Sequence, residues 1–203
     1  CSFSPRGTAQ IDAIDGSISG DITVEQCFPA RRAFRLVSSS TTTTTTIRQN
    51  WQEGASSYND TSVEDNYGTH ITGVEPNDPN DPPVSLDGTN GFDWNGSGNI
   101  SMFTFDNSVP QSWTPIDNTD VNTLTAGDPY RLMIRGARVD GGIALDIDNN
   151  SATPTKTRLR STGTVEQGNF TIPNTELSQT STLSDNWNLI GNPYHALVNM
   201  KLL

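Results

Sequence analysis

The run Tyr130-Arg131-Leu132-Met133-Ile134-Arg135-Gly136 sets a large apolar residue at every second position and closes on glycine. Side chains on an extended backbone point to opposite faces in turn, so this alternation marks a strand with one buried face. The rhythm recurs, more or less cleanly, over residues 17–24, 33–37, 100–105, 156–162 and 169–172. Clusters of Gly, Asn, Asp, Ser and Pro separate the runs, as turns between strands require. Good helix formers are sparse while Thr, Ser, Asn, Asp and Gly abound, which disfavours helix. The pattern predicts an all-β fold: one antiparallel β-sandwich, jelly-roll-like, spanning residues 1–203 with long loops and little helix.

Two segments need separate treatment. The homopolymeric run at residues 41–46 is threonine throughout, and stiff β-branched side chains favour a strand edge or an extended loop. Residues 47–53 after it are the best short-helix candidate, with Trp51 as the buried anchor. Asn77-Asp78-Pro79-Asn80-Asp81-Pro82-Pro83 removes backbone donors and bars regular pairing. Residues 74–90 therefore read as a Pro/Asp-rich loop inserted in the single domain.

The 203 residues carry a formal net charge of −11 and are 32% hydrophobic. Such a field repels phosphate backbones, so nucleic acid is not an expected partner. No apolar run approaches the ~20 residues that cross a bilayer, so no transmembrane helix is expected. The first residues lack the basic and apolar regions of a signal peptide and read as a mature or trimmed start. Two cysteines, Cys1 and Cys27, are read as a disulfide, which would add roughly 3 kcal/mol by restricting the unfolded chain. The alternatives are a lipidated Cys1, or a Cys27 that merely fills core space.

No catalytic constellation stands out. His70 and His195, the two histidines, lie in no metal-ligand pair and beside no nucleophile elbow. His70 is expected to be a hydrogen-bonded structural residue. Carboxylates are plentiful, but no two are singled out as a glycosidase pair. Asp146-Ile147-Asp148-Asn149-Asn150 offers oxygen ligands at alternate positions, so Asp146, Asp148 and Asn150 form a candidate Ca²⁺ loop. The competing view is an Asx-rich turn, and no cofactor is required. Four tryptophans fall near turns. At least three are expected in the core, whereas Trp94, with Asp93 and Asn95, is the candidate glycan site. Arg35, Arg131, Arg135, Arg158 and Arg160 alternate with apolar residues and are expected to line solvated sheet faces and pair with Asp.

Three further runs are Pro29-Ala30-Arg31-Arg32-Ala33-Phe34-Arg35, Tyr67-Gly68-Thr69-His70-Ile71-Thr72-Gly73 and Trp187-Asn188-Leu189-Ile190-Gly191-Asn192-Pro193-Tyr194. With Gly91-Phe92-Asp93, Ser112-Trp113-Thr114-Pro115 and Leu124-Thr125-Ala126-Gly127-Asp128-Pro129, they resemble a β-rich module of large Bacteroidetes surface proteins exported by type IX secretion. His195-Ala196 departs from the Pro-Ser that commonly follows Asn-Pro-Tyr there. The resemblance implies an extracellular, cell-surface location within a longer precursor and transfers no catalytic residues. Two functions follow as expectations. One is a non-enzymatic surface module for adhesion or assembly, its copies or neighbouring domains joined by strand addition through residues 1–14 or 196–203. The other is a carbohydrate-binding module.

Overall fold

The computed structural model describes residues 10–11, 15–73, 89–94, 99–108, 110–140, 155–172, 177–178 and 187–199. Seven strands and one short helix are found among them: β1 (Ile22–Phe28), β2 (Ala33–Ser38), β3 (Thr41–Thr43), α1 (Ile47–Trp51), β4 (Met102–Asp106), β5 (Ser112–Pro115), β6 (Pro129–Ile134) and β7 (Thr157–Val165). Two antiparallel sheets result, in the orders β1-β7-β3 and β2-β6-β4-β5.

An eighth segment completes the first sheet without regular pairing. Residues 122–127 run beside β3: the Thr43 N–H donates to the Leu124 carbonyl (2.8 Å), and the Gly127 N–H donates to Ser39 (3.0 Å). Leu124 returns its own N–H to the Thr43 hydroxyl. Counted between β5 and β6, that segment gives the chain the order of a jelly roll, each step crossing between sheets except the β4–β5 hairpin. The strands expected from alternation are present at β1, β2, β4, β6 and β7. Residues 169–172 are not a strand, and β5 is an added one.

The core lies between the sheets. Tyr130, Leu132 and Ile134 of β6 point inward, as their period of two requires, and meet Met102 of β4 and Leu159 of β7. Trp51 closes the layer edge-on to Tyr130, with ring centroids 5.5 Å apart at 82°. It is the only tryptophan in this core cluster, so the expectation of three core tryptophans is corrected. Thr46 caps α1 in a reciprocal capping box with Gln49, which fixes the short helix and aims Trp51 inward.

The threonine run enters the interior because its hydroxyls are satisfied. The Thr41 hydroxyl donates to Ser161 at 2.8 Å, and the Ser39 hydroxyl donates to the Thr41 carbonyl at 2.6 Å. Gly163 lets β7 approach β3: a Cβ there would lie 2.7 Å from the Thr42 carbonyl carbon and 2.9 Å from Thr43 Cα. Both obstacles are backbone, so Gly163→Ala must spread the two strands. It is expected to cost about 1–3 kcal/mol, read as a lower denaturation midpoint. Gly168→Ala, where a Cβ meets nothing but a positive φ, is the comparison. Gly191 has a similar role. It is not among the positive-φ glycines; a Cβ there would lie 2.7 Å from Ser38 Cβ, so close approach is what demands glycine.

Candidate functional site

The sequence-predicted residues fall in different places. Asn95 and the calcium candidates Asp146, Asp148 and Asn150 lie outside the described residues, as do most of loop 74–90 and Cys1. Cys27 is disulfide-bonded. Among the described residues no group of three metal-ligating side chains converges.

Asp93 does not face solvent. The irregular segment 67–73 is buried and reaches both sheets, the Gly68 N–H donating to the Arg158 carbonyl of β7 and the Thr72 carbonyl accepting from the Ser101 N–H beside β4, and Asp93 is buried beside it. Both Asp93 oxygens accept from the Arg138 guanidinium at 2.7 Å. Gln52 Nε2 (2.9 Å) and the Ile71 N–H (2.8 Å) also donate to Oδ2. Burial alone raises the Asp93 pKa, but the Arg138 hydrogen bonds and charge outweigh it and hold the carboxyl below its ordinary range. Arg138 also donates to the Ser57 and Thr69 carbonyls. His70 is fully buried in the same cluster and its Nε2 meets the Tyr58 carbonyl at 2.7 Å, the structural role expected of it. Trp94 packs half-buried against Tyr58, ring centroids 5.3 Å apart. Its indole N–H is buried with no partner among the described residues, and Asp93 is committed to Arg138.

The arginines divide by strand and face. Arg135 is buried and donates toward the His70 carbonyl and the Thr72 hydroxyl. On the outer face of β7, Arg158 pairs with Glu25 (3.7 Å), and Arg160 pairs with Glu64 (2.9 Å) and Glu53. Both guanidiniums lie over the Tyr67 ring. Among the described residues their carboxylate partners are glutamates from turns and β1, not the expected aspartates. Glu53, whose pKa is raised by burial against the opposing pull of Arg160, is committed to that pair.

A different surface emerges on the outward face of the four-stranded sheet. Residues facing away from the core on β2, β6, β4 and β5 should be polar in a solvated sandwich. Here they include Phe34, Leu36, Met133, Phe103, Phe105 and Trp113, with Arg131 and Ser38 the polar members. Register aligns Leu36, Arg131, Phe103 and Pro115 in one cross-strand row, with Phe105 and Trp113 paired in the next. Trp187 arrives from the C-terminal segment and stacks on Phe105, centroids 4.8 Å apart and 18° between planes. Trp113 contacts the same ring at 4.8 Å. Trp187 is held from behind: Gln111 Nε2 donates to its carbonyl, and Asn107 exchanges two hydrogen bonds with Leu189.

Arg131 lies in the middle of these rings. Its Cζ is 4.2 Å from the Phe34 centroid, 5.7 Å from Phe103 and 5.8 Å from Trp113. Cation–π attraction keeps the guanidinium flat on the surface. Among the described residues no acceptor takes its N–H groups, which leaves donors presented between aromatic faces. Trp187 is 50% exposed, Phe34 38% and Leu36 63%. Exposed apolar side chains gathered on one sheet face make it the candidate contact surface. The signal in the sequence was strand 102–105, where Phe103 and Phe105 are apolar on the face opposite to Met102.

No family model matches the chain, and no curated protein or solved structure matches it. The class is defined by the fold and the face: an all-β jelly-roll sandwich carrying an aromatic strip on one sheet.

Proposed function

We propose that this chain is a non-enzymatic extracellular adhesion module that binds glycans on the outward face of its four-stranded sheet. The observation that carries the reading is the Arg131 guanidinium, without an acceptor among the described residues, lying within a file of aromatic rings that are half-buried or exposed. Pyranose rings present an apolar C–H face that stacks on flat aromatics, while their hydroxyls and carboxylates accept from a guanidinium. A strand-borne site is also rigid, so little ordering opposes binding. The disulfide at Cys27 supports an oxidising compartment, and the resemblance to Bacteroidetes surface modules agrees with it. Among the described residues no helix is long and apolar enough to cross a membrane.

A glycan array followed by titration calorimetry tests the proposal. Trp187→Ala and Trp113→Ala are each expected to weaken the strongest glycan by about threefold to tenfold. Trp94→Ala should leave affinity unchanged. Loss of binding in Trp94→Ala alone would move the site to the loop end. A second reading, that the same face docks a neighbouring domain or copy, is favoured by the exposure of Leu36. It predicts concentration-dependent dimers in sedimentation and no glycan binding.

A further inference from the structure

Taking the outward face of the four-stranded sheet as a glycan site, we infer the class of glycan it selects: an acidic one. A carboxylate or sulfate ester on one sugar unit pairs with Arg131, and an uncharged neighbouring unit stacks on Trp113 and Trp187.

The four strands of that sheet carry three charged residues, Arg35, Asp106 and Arg131. Arg35 and Asp106 occupy the alternate register positions, so Arg131 is the one charge that the strands turn outward. Its neighbours in the cross-strand row are Leu36 and Phe103, neither of them acidic. The chain has 23 acidic residues against 12 basic ones, and Arg138, Arg158 and Arg160 each hold a carboxylate. Arg131 holds none among the described residues. The Phe34 ring lies against its guanidinium, centroid to Cζ 4.2 Å, and orients the fork without using any of its five N–H groups. A planar fork held this way matches an oxyanion that offers two oxygens. A neutral hydroxyl gains less from it, because hydrogen bonds to charged groups are the stronger ones.

The net charge of −11 repels anions at a distance. Physiological salt screens that field beyond about 8 Å, so the charge that touches the ligand decides. Carboxylates lie at the other end of the strip, where Asp106 and Asp128 help line an open hollow of about 510 Å³ beside Phe105. An anionic unit is therefore favoured at Arg131 and disfavoured beyond Phe105. Phe105 follows Phe103, the row partner of Arg131, by two residues along β4, a rise of about 7 Å. Linked sugar units bridge that spacing, the acidic one at Arg131 and the uncharged one over the rings of Trp113, Phe105 and Trp187.

The test titrates the full chain calorimetrically with hexasaccharides in which glucuronate or galacturonate alternates with a neutral sugar, each beside its carboxyl-reduced counterpart. A galactan hexasaccharide sulfated on alternate units, beside its desulfated form, makes a second arm. The wild type is expected to bind at least one acidic hexasaccharide about tenfold more tightly than its neutral counterpart, and the arm that does so assigns carboxylate or sulfate. Raising the salt concentration should narrow that preference. Arg131→Gln should abolish it, weakening the acidic ligand about tenfold and leaving the neutral one nearly unchanged, whereas Trp187→Ala should weaken both. Equal affinity of the wild type for charged and neutral partners, or a preference that survives Arg131→Gln, would overturn the inference. Neutral sugars that bind as tightly as acidic ones, with loss in Trp187→Ala, would leave the glycan face standing and remove only the acidic class. No binding of either kind, with concentration-dependent dimers instead, would remove both.

Discussion

Asp93→Ala is expected to cost about 3–5 kcal/mol, enough to leave much of the chain unfolded at physiological temperature. The substitution strands the Arg138 guanidinium, 1% exposed, without its carboxylate, and removes the acceptor of the Gln52 and Ile71 donors. A charge left unpaired in the interior has no water to turn to. Arg138→Ala should be comparably severe, since it leaves the Asp93 carboxylate buried alone. The pair need not itself be worth that much, because burying two ions costs nearly what their attraction returns. Asp93→Leu combined with Arg138→Met should therefore be far milder than the sum of the single variants. Urea denaturation of the four proteins measures this. Additive losses would show that the two residues act independently.

The same cluster predicts sensitivity to acid. Burial pushes His70 down to about 4, with Asp93 pulling upward and Arg138 and Arg135 adding to the depression. Between the ordinary histidine value near 6.5 and about 4, the unfolded chain takes up a proton that the folded chain refuses. Acid therefore favours unfolding. The stability is intact above the unfolded value and drains as pH falls from 6.5 toward 4, by on the order of 3 kcal/mol in total. Below that window Asp93, held under its ordinary 3.8, adds a further loss as it protonates. His70→Gln, which keeps a donor for the Tyr58 carbonyl, should flatten the slope between 6.5 and 4. Denaturation midpoints collected across that range decide it; a slope unchanged in His70→Gln would assign the acid sensitivity to other groups.

Much of the fold was legible because burial on one face writes itself into alternation. β6 is the clearest case, its Tyr130, Leu132 and Ile134 all inward. The helix at Ile47 was legible from the aromatic anchor at Trp51. β5 was hard to see because its four residues include one large apolar side chain and a proline, and it is defined by pairing with β4. The Arg138–Asp93 pair was not legible at all. The two residues are 45 positions apart and neither lies on a strand, so no periodicity connects them. Asp93 in Phe92-Asp93-Trp94 looks like part of a surface turn until segment 67–73 is seen to run beneath it.

The aromatic strip was half legible. Phe103, Phe105 and Trp113 were each visible, but a tryptophan in a sandwich is more often core, and that general tendency misplaced Trp113 and Trp187. What alternation could not supply was their convergence with Arg131. That depends on cross-strand register, and on residues 187–190 being clipped beside the β4–β5 turn by Asn107 and Gln111.

The central claim is that ligand meets the chain on the sheet face of Trp113 and Trp187. The four tryptophans report on it separately, since each indole N–H has its own resonance in a two-dimensional ¹H–¹⁵N spectrum. Trp51 is core and Trp94 is half-buried at the loop end, whereas Trp113 and Trp187 flank Phe105. Titration with the strongest glycan from the array is predicted to shift the Trp113 and Trp187 signals and leave Trp51 and Trp94 in place. Shifts confined to Trp94, or no shift at saturating glycan, would contradict the assignment of that face as the binding site.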